Sequence, residues 1–250
     1  MTNGYKRYTQ KTQYFSAYNA YQEKYRTTPR ESDKVITSII GDLIEGGSFS
    51  RDVRILDIGC STGNLLRLLR SVFPEAHLTG SDLSTSCLDQ CLASPDLAGV
   101  HFQQTDVLDL DVKSSFDIVI LNAVSWVFDW DEFRLAMQNC FNNLDSNGAL
   151  ILFEWLNPFE HQDLRITETS IGHPEGMTYY IRPMRAVTQQ LERIGFESIS
   201  IRPFNLPIDL EFPGYDAELT SYTVRRDNGS RLCFRGSFFQ PWSHTLARKP

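Results

Sequence analysis

The sequence predicts an α/β fold: a doubly wound, mostly parallel sheet with helices on both faces. Three observations carry this. Short apolar, β-branched runs recur after residue 53. Segments of helical period separate them. A small-residue turn, Gly59 to Gly63, joins the first run to a leucine-rich helix. Strands that alternate with helices need crossover connections, and right-handed crossovers cover both sheet faces.

Each element can be justified in order. Tyr14, Tyr18, Tyr21 and Tyr25 recur at helical spacing, so an aromatic stripe is expected on one face of an N-terminal helix. In ESDKVITSIIGDLIEGG, Val35, Ile36, Ile39, Ile40 and Leu43 mark a buried face, and Gly46-Gly47 is a stop. VRILDI reads as the first strand. LLRLLRSVF follows as a helix that ends before Pro74. HLTGSD is a second strand, STSCLDQCLA a helix and VHFQQTD a third strand. FDIVILN is the most apolar strand, as expected at a sheet centre. DEFRLAMQNCFNNL is a helix, and Asn147-Gly148 turns the chain into a fifth strand, ALILFEW.

Residues 155–182 show little periodicity and many turn residues, and they read as a long lid. Pro183 then opens a helix, MRAVTQQLERI, which Gly195 ends. FESISIRP is a sixth strand. TSYTVRRDNGSRLCFRG alternates around Asp227-Asn228-Gly229, a hairpin signal, and QPWSHTLARKP is the last strand. With no interdomain linker, residues 1–250 read as one domain: a helical cap over 1–50, the lid over 155–182 and a hairpin-bearing insertion over 203–236.

Composition narrows the function. The chain has 24 Lys and Arg against 31 Asp and Glu, a net charge of −7. Phosphate contacts need clustered cations, so a nucleic-acid partner is not expected. No apolar run reaches the roughly 18 residues of a spanning helix, so no membrane partner is expected either. Cys60, Cys87, Cys91, Cys140 and Cys233 form no CxxC pair, and Cys87 and Cys91 read as a packed helix face; no metal site is expected. Reduced thiols and the absence of a leader-like apolar core fit a cytoplasmic protein, a monomer or homodimer.

The candidate site lies at the carboxyl ends of the strands, where such sheets bind ligands. Gly59 and Gly63 let backbone approach a ligand, and N–H groups of the following helix point at it. The G-x-G-x-x-G dinucleotide fingerprint is incomplete, with glycine at 59 and 63, Ser61 between them and Leu66 at the third position. A phosphate-binding loop lysine is absent. Asp82, at the end of the second strand, can accept both hydroxyls of a ribose. Asp106, at the end of the third, can accept from an adenine amine, with Leu83 and Val107 covering the ring faces. Asn122 ends the fourth strand.

ILDIGCSTGNLL, TGSDLS, TDVLDL and FDIVILNAVSWVFD, with the turn DSNGALILFEW, occur in order at fitting spacing. Together they resemble class I S-adenosylmethionine-dependent methyltransferases, over about residues 30 to 155 and in outline to the C-terminus. The departure is Ser61, where that family commonly has glycine. The resemblance implies a seven-stranded sheet with an antiparallel last strand, S-adenosylmethionine (SAM) as cofactor and S-adenosylhomocysteine (SAH) as its product. It implies that Asp57 and Gly59 line the methionine half, Asp82 the ribose, and Asp106 and Val107 the adenine, with Cys60, Ser61 and Gly63 of the same turn and Leu83 as further cofactor-binding candidates. Asn122 would lie near the methionine amino group. Arg30 is a candidate partner for the cofactor carboxylate or a surface arginine. Tyr25, with its stripe, either closes over the cofactor or packs against a neighbouring helix.

Methyl transfer from a sulfonium needs an aligned nucleophile and exclusion of water, with a general base where the nucleophile carries a proton. Base candidates are Glu154 at the fifth-strand end and His161 and His173 in the lid. Trp155, Tyr179, Tyr180 and Arg182 are candidate acceptor contacts, suited to a small, anionic molecule. His244, in the last strand, reads as structural. The expected function is methyl transfer to an oxygen or nitrogen of a small molecule. The alternatives are a methyltransferase acting on RNA or protein, and a SAM-binding regulator without catalysis. The N-P-P-Y type motif of base methylation is absent, since Asn122-Ala123-Val124-Ser125 stands there.

Overall fold

A computed structural model of the chain describes residues 21–110, 115–169, 176–215 and 219–250. After a helical end at residues 21–23 comes helix α1 (Glu31–Glu45). Strand β1 (Arg54–Ile58), helix α2 (Asn64–Val72), β2 (His77–Asp82), α3 (Thr85–Leu92) and β3 (His101–Gln104) follow. Next are β4 (Phe116–Asn122), α4 (Trp130–Asn143), β5 (Leu144–Asn157), β6 (Leu164–Glu168), β7 (Met177–Pro183), α5 (Met184–Ile194) and β8 (Glu197–Pro203). The chain closes with β9 (Ser221–Arg225), β10 (Arg231–Arg235), β11 (Phe238–Phe239) and β12 (Trp242–Arg248).

The main sheet runs β3-β2-β1-β4-β5-β12-β8. β1, β2, β3, β4 and β5 are parallel, and β12 is antiparallel to both β5 and β8. This is the doubly wound sheet with an inserted antiparallel last strand that the sequence predicts. Period-two alternation divides each central strand between two cores. Leu56, Ile58, Val119, Leu121, Leu150 and Leu152 face α4 and α5. Ile55, Ile118, Ile120, Ile151 and Phe153 face α1, α2 and α3. β4 is buried on both sides, which is why its sequence is apolar almost throughout. The strand order reverses between β1 and β4, so a crevice opens where β1 ends at Ile58 and β4 at Asn122.

The segment 155–182 corrects the expectation of an irregular lid. β5 runs on to Asn157, β6 and β7 pair antiparallel, and β7 joins the end of β5 at Leu156↔Arg182 and Asn157↔Pro183. β6 and β7 thus add to the seven strands of the main path, making nine in the connected sheet. Met177, Tyr179 and Ile181 point inward and Thr178 and Tyr180 outward, a period-two pattern. It was hard to read because the run is short and flanked by turn residues. The expected hairpin at 220–236 is present as β9 and β10, and β11 adds to it in a separate three-stranded sheet.

Candidate functional site

The turn after β1 is tied to β2. The Gly59 and Cys60 N–H groups donate to the Ser81 carbonyl at 2.7 and 2.9 Å. Ser61 N–H donates to Asp82 Oδ2 at 2.8 Å, and Ser84 N–H donates to Asp82 Oδ1 at the same distance. The Leu83 N–H also lies against this carboxylate, which as an acceptor of up to about four hydrogen bonds keeps capacity for a further donor. Gly59 has φ +72°, and a Cβ there would stand 2.6 Å from Val124 Cγ2. Gly63 has φ +77°, and its Cβ would stand 2.7 Å from Leu97. Both positions exclude a side chain by conformation and by space. Ser61 adopts φ +52°, so the residue that departs from the family pattern keeps the left-handed backbone a glycine would supply. Cys60 is buried beside this turn, and the Cys91 thiol donates to the Ser61 carbonyl at 3.2 Å.

Asp57 is buried at the end of β1, and its Oδ1 has no hydrogen-bond partner. Burial, the Asp33 and Asp82 carboxylates and the Cys91 thiol raise its pKa well above the usual carboxylate value. Burial also raises Asp82, against the N–H groups of Ser84, Ser61 and Leu83. Asn122 donates from Nδ2 to Asp33 Oδ1 at 2.8 Å, and Arg30 lies 3.6 Å from Asp33 Oδ2. The Arg30 guanidinium sits 4.3 Å from the Tyr25 ring centroid and also donates to Gln22. Asn64, at the start of α2, donates to the Gln22 carbonyl at 2.9 Å. The segment carrying Gln22, Tyr25 and Arg30 therefore folds onto the mouth of the crevice. Tyr21 meets Tyr25 with hydroxyls 3.1 Å apart, while Tyr14 and Tyr18 lie outside the described residues.

In the loop after β3, Asp106 Oδ1 accepts from Leu108 N–H at 2.9 Å, which holds that loop. Val107 is buried and Leu83 half-buried. Asp57, Asp82 and Asn122 lie at the carboxyl ends of β1, β2 and β4, and Asp106 follows the end of β3.

The expected catalytic and acceptor residues fare differently. Glu154 is buried; its Oε2 accepts from Ser125 Oγ and its Oε1 from Trp155 N–H. Burial lifts its pKa to about 7, against the opposing pull of Arg182. His161 is exposed and lies in a separate groove of about 500 Å³ with Trp130, Arg134, Asp163, Gln189 and Arg193. His173 lies outside the described residues. His244 packs on Phe153 at 4.6 Å with its Nε2 3.3 Å from the Ser32 carbonyl, and burial drops its pKa to about 4. It is a neutral core histidine.

Three acceptor expectations are corrected. Arg182 is fully buried and donates to the carbonyls of Ser125, Phe128 and Asp129, so it braces the β4–α4 loop instead of reaching an acceptor. Trp155 and Tyr179 are buried, 4.6 and 4.8 Å from the Trp126 ring. Their inward position on β5 and β7 turns them into core. Tyr180 is half-buried. The sequence reading missed Asp33, Gln22 and Ser125. Asp33 looked like an ordinary first-turn acid of a helix, and its partner Asn122 is far away in the chain.

A methyltransferase domain family model matches residues 55–148. A malonyl-[acyl-carrier protein] O-methyltransferase of Bacillus anthracis is 28% identical over 152 residues, 56% of this chain and 55% of that one. A trans-aconitate 2-methyltransferase of Methylobacterium nodulans is 36% identical over 83 residues, 33% of this chain and 31% of its own length. The glycopeptide N-methyltransferase MtfA complexed with SAM superposes with TM-score 0.55 at 16% identity, covering 86% of this chain and 93% of that one. Residues 55–148 are thus similar to a methyltransferase domain, and the fold is that of class I SAM-dependent methyltransferases. It spans about half the length of the first curated relatives it matches. The matched segment runs from β1 into β5, and so holds the Gly59–Gly63 turn, Asp82, Asp106 and Asn122. Among the described residues no group of His, Cys, Asp or Glu is arranged to hold a metal ion, and no helix is long and apolar enough to cross a membrane.

Proposed function

We propose that the chain is a SAM-dependent methyltransferase that moves a methyl group to an oxygen or nitrogen of a small-molecule acceptor. The observation that carries this is the pairing of a left-handed, side-chain-free turn with Asp82. The Ser61 N–H holds a carboxylate whose remaining acceptor capacity suits a ribose hydroxyl. The unpartnered Asp57 Oδ1 favours a cationic group at the methionine end. Both features fit SAM, which when bound supplies an already activated methyl group on its sulfonium.

The chain's own contribution is alignment and exclusion of water, and alignment supplies roughly 7–11 kcal/mol in well-oriented reactions. Asp82 orients the ribose. Asp106, Leu83 and Val107 hold the adenine. Gly59 admits the methionine chain, and Arg30 offers a cation to its carboxylate. Relatives named for malonyl and trans-aconitate acceptors favour a carboxylate oxygen. Such an oxygen is already ionised near neutral pH and needs no general base. This suits a Glu154 whose two oxygens are occupied by Ser125 and Trp155.

Calorimetry with SAH tests the cofactor half. The expected result is one site per chain, with affinity falling about 100-fold in Asp82→Ala, the loss of a charge-assisted hydrogen bond. Incubation with methyl-labelled SAM and a panel of small carboxylates and amines tests the acceptor half. Label in RNA or protein alone would favour the macromolecular reading. SAH binding with no transfer to any acceptor would favour the regulator.

A further inference from the structure

The three-stranded sheet of β9, β10 and β11 sits the opposite way round from an ordinary surface sheet. Side chains alternate between its two faces, and directly paired residues share a face. Arg235 pairs with Ser221 and Phe238, and Arg231 with Arg225, so these residues lie on one face. That face is fastened to the body of the protein. Arg235 Nε donates to Glu168 Oε2 on β6 at 2.7 Å, and the ring centroids of Phe238 and Trp155 are 5.5 Å apart. The other face carries Tyr222 and Val224 from β9, Leu232 and Phe234 from β10 and Phe239 from β11. Antiparallel sheets with one solvated face normally put the apolar side on the core and the polar side in water. Here the arginine-bearing side is the inner one, and none of the five residues on the apolar side is buried. Among the described residues, none of the five packs against the buried core clusters.

The segment before β9 extends this apolar side. Phe212 lies 5.0 Å from Tyr222 and 5.1 Å from Tyr215 between ring centroids, and Phe234 lies 5.7 Å from Tyr222 and 5.8 Å from Phe239. The result is a continuous aromatic stripe, with Tyr215 95% exposed, Phe212 49%, Val224 47% and Phe239 39%. At about 150–250 Å² per aromatic side chain, these four leave roughly 400 Å² of side chain in water. A patch of that size marks an interaction site. It is about half of the ~800 Å² that one partner of a standard interface buries, and the half-buried Tyr222, Leu232 and Phe234 add to it. We propose that this side is the interface of a homodimer, in which the β9–β11 sheets of two copies pack face to face about a two-fold axis. A two-fold interface must be complementary to itself, so its border needs both signs of charge. The border has them: Asp209 and Glu211 stand before β9, and Arg225 and Arg226 at its end, all exposed. A partner of strongly one-signed charge would find no such match. Two sheets packed face to face interdigitate their inner side chains, which covers the stripe. No residue of this interface belongs to the candidate cofactor site, so its failure would leave the proposed function standing.

Sedimentation velocity of the full chain reads the assembly. The wild type is expected at twice the mass of the 28.7 kDa chain. Val224→Lys and Phe212→Glu alter side chains that a single copy leaves exposed, so each is expected to fold. In a two-fold interface each change enters twice, and the dimer dissociation constant should rise at least about 100-fold. Leu92→Lys, exposed on α3 outside this face, should leave the dimer as it is. A wild type that sediments as one chain at every attainable concentration overturns the proposal. So do Val224→Lys and Phe212→Glu if both dimerise like the wild type, because the interface would then lie elsewhere. A photo-crosslinking benzoylphenylalanine in place of Val224 identifies the occupant without relying on a loss. The expected product is a two-chain species joined to residues 207–239 of the second copy. A single-chain product joined to residues 1–20 would give the face to that segment instead and overturn the dimer, as would the absence of any two-chain product.

Discussion

At the residue scale, Ser61 shows how a family position tolerates a change. Its φ of +52° is a left-handed conformation that costs a serine about 1 kcal/mol relative to glycine, yet its N–H still reaches Asp82. Ser61→Gly is expected to change stability by no more than ~1 kcal/mol in either direction, because glycine also loosens the unfolded chain. Ser61→Val should cost ~2 kcal/mol or more, since a β-branched residue resists positive φ. The urea midpoints of the two variants separate these outcomes. Glu154 makes a pH prediction. Its carboxyl titrates at about 7 in the folded protein and at the ordinary 4.5 when exposed. The folded state therefore binds more protons between these values, and stability falls as pH rises from 4.5 to 7. The loss attributable to this group reaches ~3 kcal/mol above pH 7. Urea unfolding of wild type and Glu154→Gln at pH 5, 6 and 7.5 should show the two converging at acid pH and the variant gaining at alkaline pH. A variant that tracks the wild type at all three values would show that Glu154 is not the group responsible.

At the element scale, the β4–α4 connection is braced from both of its ends. Asp129 caps α4 through the Asp131 and Glu132 N–H groups, and Glu132 reaches back to the Asp129 N–H at 3.0 Å. Arg182 from β7 then ties three carbonyls of the same stretch. Its guanidinium lies 4.5 Å from the Phe133 ring centroid and 5.1 Å from that of Trp130. Arg182→Ala removes the cation facing Glu154 and strands those carbonyls, so a loss of about 3–5 kcal/mol is expected in equilibrium unfolding. Asp129→Ala removes only the cap and should cost about 1 kcal/mol. If Arg182→Ala were as mild as Asp129→Ala, the brace assigned to it would be wrong. β6 and β7 explain why Arg182 was misread. A cation in a loop faces solvent, but on β7 this one faces the Trp130 and Phe133 rings of α4.

At the scale of the whole molecule, the crevice is built from segments that are distant in the chain. The α1 acid Asp33, the β1 turn, Asp82 and Asn122 meet there. A ligand that binds this assembly should stabilise the entire fold. SAH at 100 times its dissociation constant is expected to add ~2.7 kcal/mol and raise the melting temperature by ~5–10 °C. A shift below 1 °C at saturating SAH would mean that the folded chain gains nothing from the ligand.

The sequence by itself determined the alternation of strands and helices, the turn at Gly59–Gly63 and the acids that end β1, β2 and β3. All of these are local patterns: a period of two, a period of 3.6, or a polar residue directly after an apolar run. The tertiary structure decided what local periodicity does not carry. It turned Trp155, Tyr179 and Arg182 inward, made part of the expected lid into two strands, and set His161 in a groove that shares no lining residue with the strand-end crevice. It also brought Asp33 to Asn122, 89 positions along the chain. Whether a side chain reaches the site depends on what packs over its element, and that is a property of the assembled sheet.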